Sequence, residues 1–241
     1  MSNMVADLRH DLRVMGLVGA AHASSHFFHL ILPPLFPILK LDFDVSFAAL
    51  GLLTTLFYGA SGIAQTIAGF LVDRFGARRV LLLGLTLLSL SVIGYGFCFS
   101  FWGLMFFSIT AGLGNSVFHP ADLSILTNKI STERLGKAYA IHSFSCNIGW
   151  ALAPIFIVAL ASFWDWRTAT ILAGLIGLNI VLMFFLSGEL LIENSPEKQA
   201  KNPVSFKKTN PLFNQITALL SSTCLLYTSP SPRDLSTSRM P

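Results

Sequence analysis

Six long stretches of this 241-residue chain contain no charged side chain, and this limits the possible folds more than any other feature. They run over roughly 14–37, 45–72, 80–99, 101–121, 138–162 and 168–187. Each is long enough to cross a hydrocarbon core of about 30 Å as a helix. Lipid offers the backbone no hydrogen-bond partner, so segments of this kind are expected as helices. The fold class expected is therefore all-α and polytopic. The fourth run continues past Pro120 to about residue 127 and takes Asp122 with it. With 53% hydrophobic and 12% charged residues, the chain carries about half the charge of an ordinary soluble domain.

The net charge of +4 does not point to nucleic acid, because the basic residues are scattered through short loops between apolar runs. Arg9, Arg13, Arg74, Arg78, Arg79, Lys129, Arg134, Lys137, Lys198, Lys201, Lys207 and Lys208 fall on one side of the bilayer. Only Lys40 and Arg167 fall on the other. Twelve against two is a strong positive-inside bias, so the N-terminus is expected in the cytoplasm. Short outer connections over 40–44, 100–102 and 162–167 hold Trp102, Trp164 and Trp166, expected as interfacial aromatics. The run after Arg13 is too long for a signal-peptide core and lacks a cleavage site, so it reads as a retained first span. Cys98, Cys146 and Cys224 do not make a framework, and no disulfide, metal or cofactor is expected.

The loop between the second and third runs reads Gly69-Phe-Leu-Val-Asp73-Arg74-Phe-Gly76-Ala-Arg78-Arg79. Its charges mark where the chain leaves the lipid. Gly76 gives freedom for a tight reversal, and Gly69 is expected to let a neighbouring backbone approach closely. This pattern resembles the signature loop between helices 2 and 3 of the major facilitator superfamily of secondary transporters. Glu133-Arg-Leu-Gly-Lys-Ala before the fifth run and Trp166-Arg-Thr opening the sixth are similar to that family as well. The resemblance implies a twelve-helix fold, of which 1–187 would be the N-terminal six-helix bundle and 188–211 a cytoplasmic linker. A seventh helix would start at 212–223 and break off. Residues 224–241 resemble translated adapter sequence and are set apart as a non-native tail. The resemblance also implies the inner membrane, and a C-terminal half of the same protein as the partner of the 69–79 loop, which would serve as a conformational gate.

Polar groups at membrane depth are costly and usually face a bundle interior or a water-filled cavity. In the first run His22, Ser25, His26 and His29 share one helical face. They form either a substrate or proton-relay face, which the resemblance favours, or a set of neutral imidazoles bonding between helices. A metal reading is weaker, since Ala23 stands where a zinc-hydrolase box needs Glu. Tyr58 and Gln65 lie seven apart on the second span, opposite a ladder of Ala60, Ala64 and Ala68 that reads as a packing seam. The fourth span carries Gly112-Leu-Gly-Asn115-Ser-Val-Phe-His119-Pro120-Ala-Asp122. This stretch looks like the fosmidomycin-resistance branch, although Ser108 occupies a position where many exporters of the superfamily have arginine. A histidine such as His119 can change its charge near neutrality with modest shifts, and Asp122 follows three residues later, so this pair is the expected proton-coupling site. The alternative is that Asp122 faces water at the cytoplasmic interface. His142 is a further cavity candidate on the fifth span. Gly149, Ala153 and Pro154 there resemble a degenerate form of the antiporter Gly-x3-Gly-Pro element, implying close packing and a bend.

The function that this resemblance implies is proton-coupled efflux of a small organic molecule, such as fosmidomycin-like compounds, by alternating access. A proton-coupled uptake symporter for a small organic anion is the alternative, followed by a membrane metalloenzyme using the first-span histidines. An enzyme is not expected.

Overall fold

The computed structural model describes residues 2–191, all helix and short turns, with no strand among the described residues. The linker beyond residue 191, the seventh helix and the tail expected above lie outside the described residues.

The helices are α1 (Ser2–His29), α2 (Phe36–Phe43), α3 (Phe47–Phe75), α4 (Ala77–Gly96), α5 (Phe101–Asn115), α6 (Phe118–Lys129), α7 (Leu135–Phe163), α8 (Trp166–Leu186) and α9 (Gly188–Leu191). Among the described residues five segments are long and apolar enough to cross a membrane: α3, α4, α5 with α6, α7 with the turn before it, and α8. α1 is as long as these, but Arg9, Asp11, Arg13 and its histidines reduce its apolarity. The chain is a multi-pass membrane protein.

The structure departs from the uninterrupted runs in two places, both governed by proline. The first run is not one helix over 14–37. Leu30 and Ile31 bond back three residues to Phe27 and Phe28, which tightens the end of α1. Pro33 and Pro34 then form a 3-10 turn with Leu35, and α2 starts afresh at Phe36. The fourth run is also divided. Pro120 has no N–H for the carbonyl of Ser116, and helix geometry lapses at Ser116–Val117 between α5 and α6. At the far end, α9 occupies the first residues of the expected linker.

The turns on one side of the bundle are capped by side chains. Ser46 accepts from Ala49 N at 3.1 Å, Ser100 from Gly103 N at 3.4 Å and Asp165 from Thr168 N at 2.9 Å. Asp42 ties this side together by accepting from Trp166 Nε1 at 2.6 Å and Arg167 Nη1 at 3.0 Å. Arg167 Nη2 also donates to the carbonyl of Cys98. Trp166 is therefore a buried clasp residue and not the interfacial aromatic expected, whereas Trp102 and Trp164 are exposed. On the other side Asp11 of α1 accepts from Arg134 Nε at 2.7 Å and Ser131 Oγ at 2.9 Å, fastening α1 to the turn before α7.

Helices pair most extensively as α1 with α7, α3 with α5 and α4 with α8. If the first three spans correspond to the last three, the first two pairings exchange and the third maps onto itself. This is the pattern expected of the three-helix inverted repeat. Small residues permit the closest crossings. A Cβ on Gly112 would overlap the carbonyl oxygen of Phe57 and meet Ala60 Cβ at 3.0 Å, so the alanine seam of the second span is used against α5. Gly149 similarly admits the backbone of α1, and Ala153 one turn on is fully buried. Pro154 lies inside α7. Elsewhere α3 and α7 expose large apolar side chains such as Ile63, Phe70, Phe144 and Ile155, surfaces suited to lipid or to another apolar body.

Candidate functional site

The polar residues of α1, α5, α6 and α7 converge. His22 and His26 are buried on α1, with Ser25 beside them. Asp122 of α6 has no exposed surface at all. One of its oxygens, Oδ2, lies 3.1 Å from His22 Nδ1 and 3.1 Å from His142 Nε2. With Asp122 ionised, both imidazoles donate to that oxygen. The two rings stack at 3.6 Å with an interplanar angle of 30°, so α1 and α7 present their nitrogens to α6 side by side. The second oxygen, Oδ1, is buried without a hydrogen-bond partner among the described residues.

The expected His119–Asp122 pair is not formed. His119 is exposed, and the hydrogen bonds of Asp122 go to His22 and His142. Three residues on a helix subtend 300°, leaving the two side chains about 60° apart, enough to turn one outward and the other into the bundle. The alternative of an Asp122 facing water is excluded by its burial. Lys129, which ends α6, is seven residues further on, so Asp122 sits roughly 10 Å inside that end.

From His22 the imidazoles continue along α1. The His22 and His26 rings are 4.6 Å apart, as are those of His26 and His29. His119 approaches from α6 at 5.4 Å from His22 and 6.2 Å from His26. His29 Nε2 lies 3.1 Å from Asn115 Oδ1, and Asn115 Nδ2 donates to Ser61 Oγ at 3.0 Å, which joins α1, α5 and α3. Tyr58 stands edge-on to His29 at 5.3 Å, and Trp150 of α7 packs edge-on against His26 at 4.7 Å. Gln65 stands on the exposed side of α3 and makes none of these contacts. The structure thus brings His22, His26, His29, Tyr58, Asn115, His119, Asp122 and His142 together. Ser61 and Trp150 were not anticipated; their only trace is a serine one turn before Gln65 and a tryptophan on an otherwise small-residue face.

Ser108, at the position where the resemblance led one to look for arginine, is fully buried and lies 3.2 Å from the Tyr95 hydroxyl. It belongs to the α4–α5 contact. Donor atoms of His22, Asp122 and His142 lie within 4.8 Å of one another, as do those of His22, His26 and Cys146. These are the side chains placed to hold a metal ion.

In the 69–79 loop Gly76 has φ 86° and ψ 139°, the conformation that the reversal between α3 and α4 requires. Gly69 does not admit a neighbour: a Cβ there meets nothing within 4 Å among the described residues, and α3 continues past it to Phe75. Asp73, Arg74 and Arg79 are exposed. The Arg74 guanidinium lies 5.5 Å from the Phe75 ring centroid, and Arg78 Nη2 donates to the carbonyl of Phe185 at 3.2 Å, near the end of α8.

Comparison with known proteins decides the family. The profile described as Major Facilitator Superfamily matches residues 18–233. The chain belongs to the major facilitator superfamily. Its relatives include the uncharacterized MFS-type transporter YfnC of Bacillus subtilis, 25% identical over 203 residues, covering 81% of this chain and 49% of YfnC. The fosmidomycin resistance protein of Escherichia coli is 21% identical over 205 residues, covering 83% of this chain and 50% of that protein. Among solved structures, a bacterial homolog of the human lysosomal transporter Spinster in an inward-facing, unoccupied conformation matches with a TM-score of 0.69 at 18% identity. That match covers 84% of this chain and 46% of the other. The chain spans about half the length of the relatives it matches.

Proposed function

We propose that this chain forms the N-terminal half of a twelve-span secondary transporter of the inner membrane, its N-terminus cytoplasmic, which exports a small organic molecule in exchange for protons. The observation that supports this most is Asp122, a carboxylate with no exposed surface, roughly 10 Å inside the bundle and bonded only to imidazoles among the described residues. A carboxylate so placed is expensive to keep charged, and such residues in membrane proteins mark ion pathways. Asp122 takes the proton, His22 and His142 hold it in place, and exposed His119 is the group through which the site meets water. His26, His29, Asn115 and Tyr58 supply polar contacts to solute on the same face, and the 69–79 loop closes the cytoplasmic side against the other half. The relative from Escherichia coli named for fosmidomycin resistance makes that phosphonate a sensible first probe.

The test uses everted vesicles carrying the complete protein. A proton gradient, acid inside, should drive labelled fosmidomycin inward in the parent, and Asp122→Asn should lose that accumulation while keeping probe exchange at zero gradient. Gradient-driven accumulation that survives in Asp122→Asn would remove the coupling role. The uptake symporter is the second reading, favoured by Ser108 in place of arginine and by Ala153 in the degenerate antiporter element. It requires right-side-out vesicles to accumulate the probe under an inward proton gradient.

A further inference from the structure

We infer that His22, Asp122 and His142 form a three-ligand binding site for a zinc-class divalent cation. The inference rests on the geometry of these side chains and not on the transport reading; the site is the same, so a bound ion competes with the proton assigned above to Asp122. The donors are two imidazole nitrogens and one carboxylate oxygen, delivered by three helices: α1, α6 and α7. This chemistry suits zinc, and neighbouring transition ions, better than magnesium or calcium, which favour all-oxygen shells.

The spacing fits as well as the chemistry. Both nitrogens are already 3.1 Å from Asp122 Oδ2. Four-coordinate zinc with bonds of about 2.0–2.1 Å places neighbouring donors about 3.3 Å apart, so the site needs adjustments of only a few tenths of an ångström along these two edges. The His22 and His142 rings are stacked 30° from parallel, and because an imidazole lone pair lies in its ring plane the two rings turn apart when both nitrogens take one ion.

An independent feature points to a cation: Asp122 Oδ1 is buried and lacks a partner among the described residues. A buried carboxylate with one oxygen unsatisfied is costly, and a divalent ion bound by both oxygens removes that cost. His22, His26 and Cys146 form a second donor set sharing His22. Exposed His119, 5.4 Å from the His22 ring, marks the route of access from the open face.

The experiment is zinc binding by the complete protein, purified through a tag without histidine and stripped with chelator. Elemental analysis and titration with zinc alone should give one ion per chain. Cobalt should show the intense visible absorption of a tetrahedral site. Asp122→Asn and His142→Gln should each weaken zinc binding by about 100-fold or more, because even partners outside the ligand shell are worth 10–100-fold. Gln65→Ala, at a residue that makes none of these contacts, should bind as the parent does. Only variants that elute as a single species at the parent's volume are compared, and stripped parent protein is itself decisive: if it binds no zinc, the site does not exist. Zinc binding that survives in the Asp122→Asn, His142→Gln double variant, or that is lost in Cys146→Ser but kept in Asp122→Asn, also overturns the assignment. Protein that binds zinc but moves no solute would leave the site standing and remove the transport reading; solute exchange without zinc binding would do the reverse.

Discussion

Gly149 of α7 lies against the backbone of Ala23 in α1, so close that a Cβ on it would overlap the Ala23 carbonyl oxygen and come within 2.9 Å of Phe27 N. These obstacles are main-chain atoms of a packed helix and cannot swing aside. Ala23 directly follows His22 and Phe27 directly follows His26, so the contact also sets how closely α7 brings His142 to α1. Gly149→Val should cost about 3 kcal/mol, at the upper end of ordinary overpacking. It should appear as a lower unfolding temperature in detergent. A variant melting with the parent would mean that the α1–α7 crossing is looser than described.

The Asp42 clasp gives a pH dependence. The Trp166 indole bond, and next to it the Arg167 guanidinium, hold the Asp42 carboxyl below its ordinary 3.8, against a smaller effect of burial. On the opposite side of the bundle burial pushes Asp11 up, but bonds from Arg134, Ser131 and His10 outweigh it, and it too stays below 3.8. A depressed carboxyl contributes stability that is present above its unfolded value and lost as pH falls through its folded value. The purified protein should therefore lose thermal stability as pH drops below 3.8, and Asp42→Asn or Asp11→Asn should flatten the slope. At neutral pH Asp42→Asn should cost about 1 kcal/mol, since the pair is partly exposed.

Gly76 turns the chain at a positive φ, in a region that L side chains seldom adopt. Gly76→Ala should destabilise the bundle by about 1–3 kcal/mol, the range for a residue held in a sparsely populated backbone region. Gly69→Ala, with open space around it, should be neutral or slightly stabilising. Melting curves of the two variants side by side check the contrast; equal effects would contradict it.

Arg78→Gln removes the bond to the Phe185 carbonyl and should cost about 1 kcal/mol. The loss is local. Hydrogen exchange should quicken in the last turn of α8 and leave the middle of α4 unchanged.

Much of this architecture is legible in the order of residues, because lipid permits few alternatives. Charge-free runs mark the spans, and two prolines foreshadow the interruptions at Leu32–Pro33 and Ser116–Val117. The site is only partly legible. That His22, His26 and His29 share a face follows from spacings of four and three, and each of them does reach the cluster. The partners of Asp122 do not follow, because His22 is 100 residues away and His142 is 20. Local spacing offered His119 as the partner, whereas packing of α1 and α7 supplied the other two imidazoles. Gly69 shows the same limit: a glycine on an apolar helix suggests a close neighbour, but only tertiary structure reveals whether one is present.

Arg78 joins the reversal at Gly76 to the last carbonyls of α8, elements more than 100 residues apart in the chain. The hairpin is thus mechanically in series with the point where the polypeptide departs from its sixth crossing. A displacement of that hairpin therefore strains the tie to the end of α8 before it disturbs the packed interior.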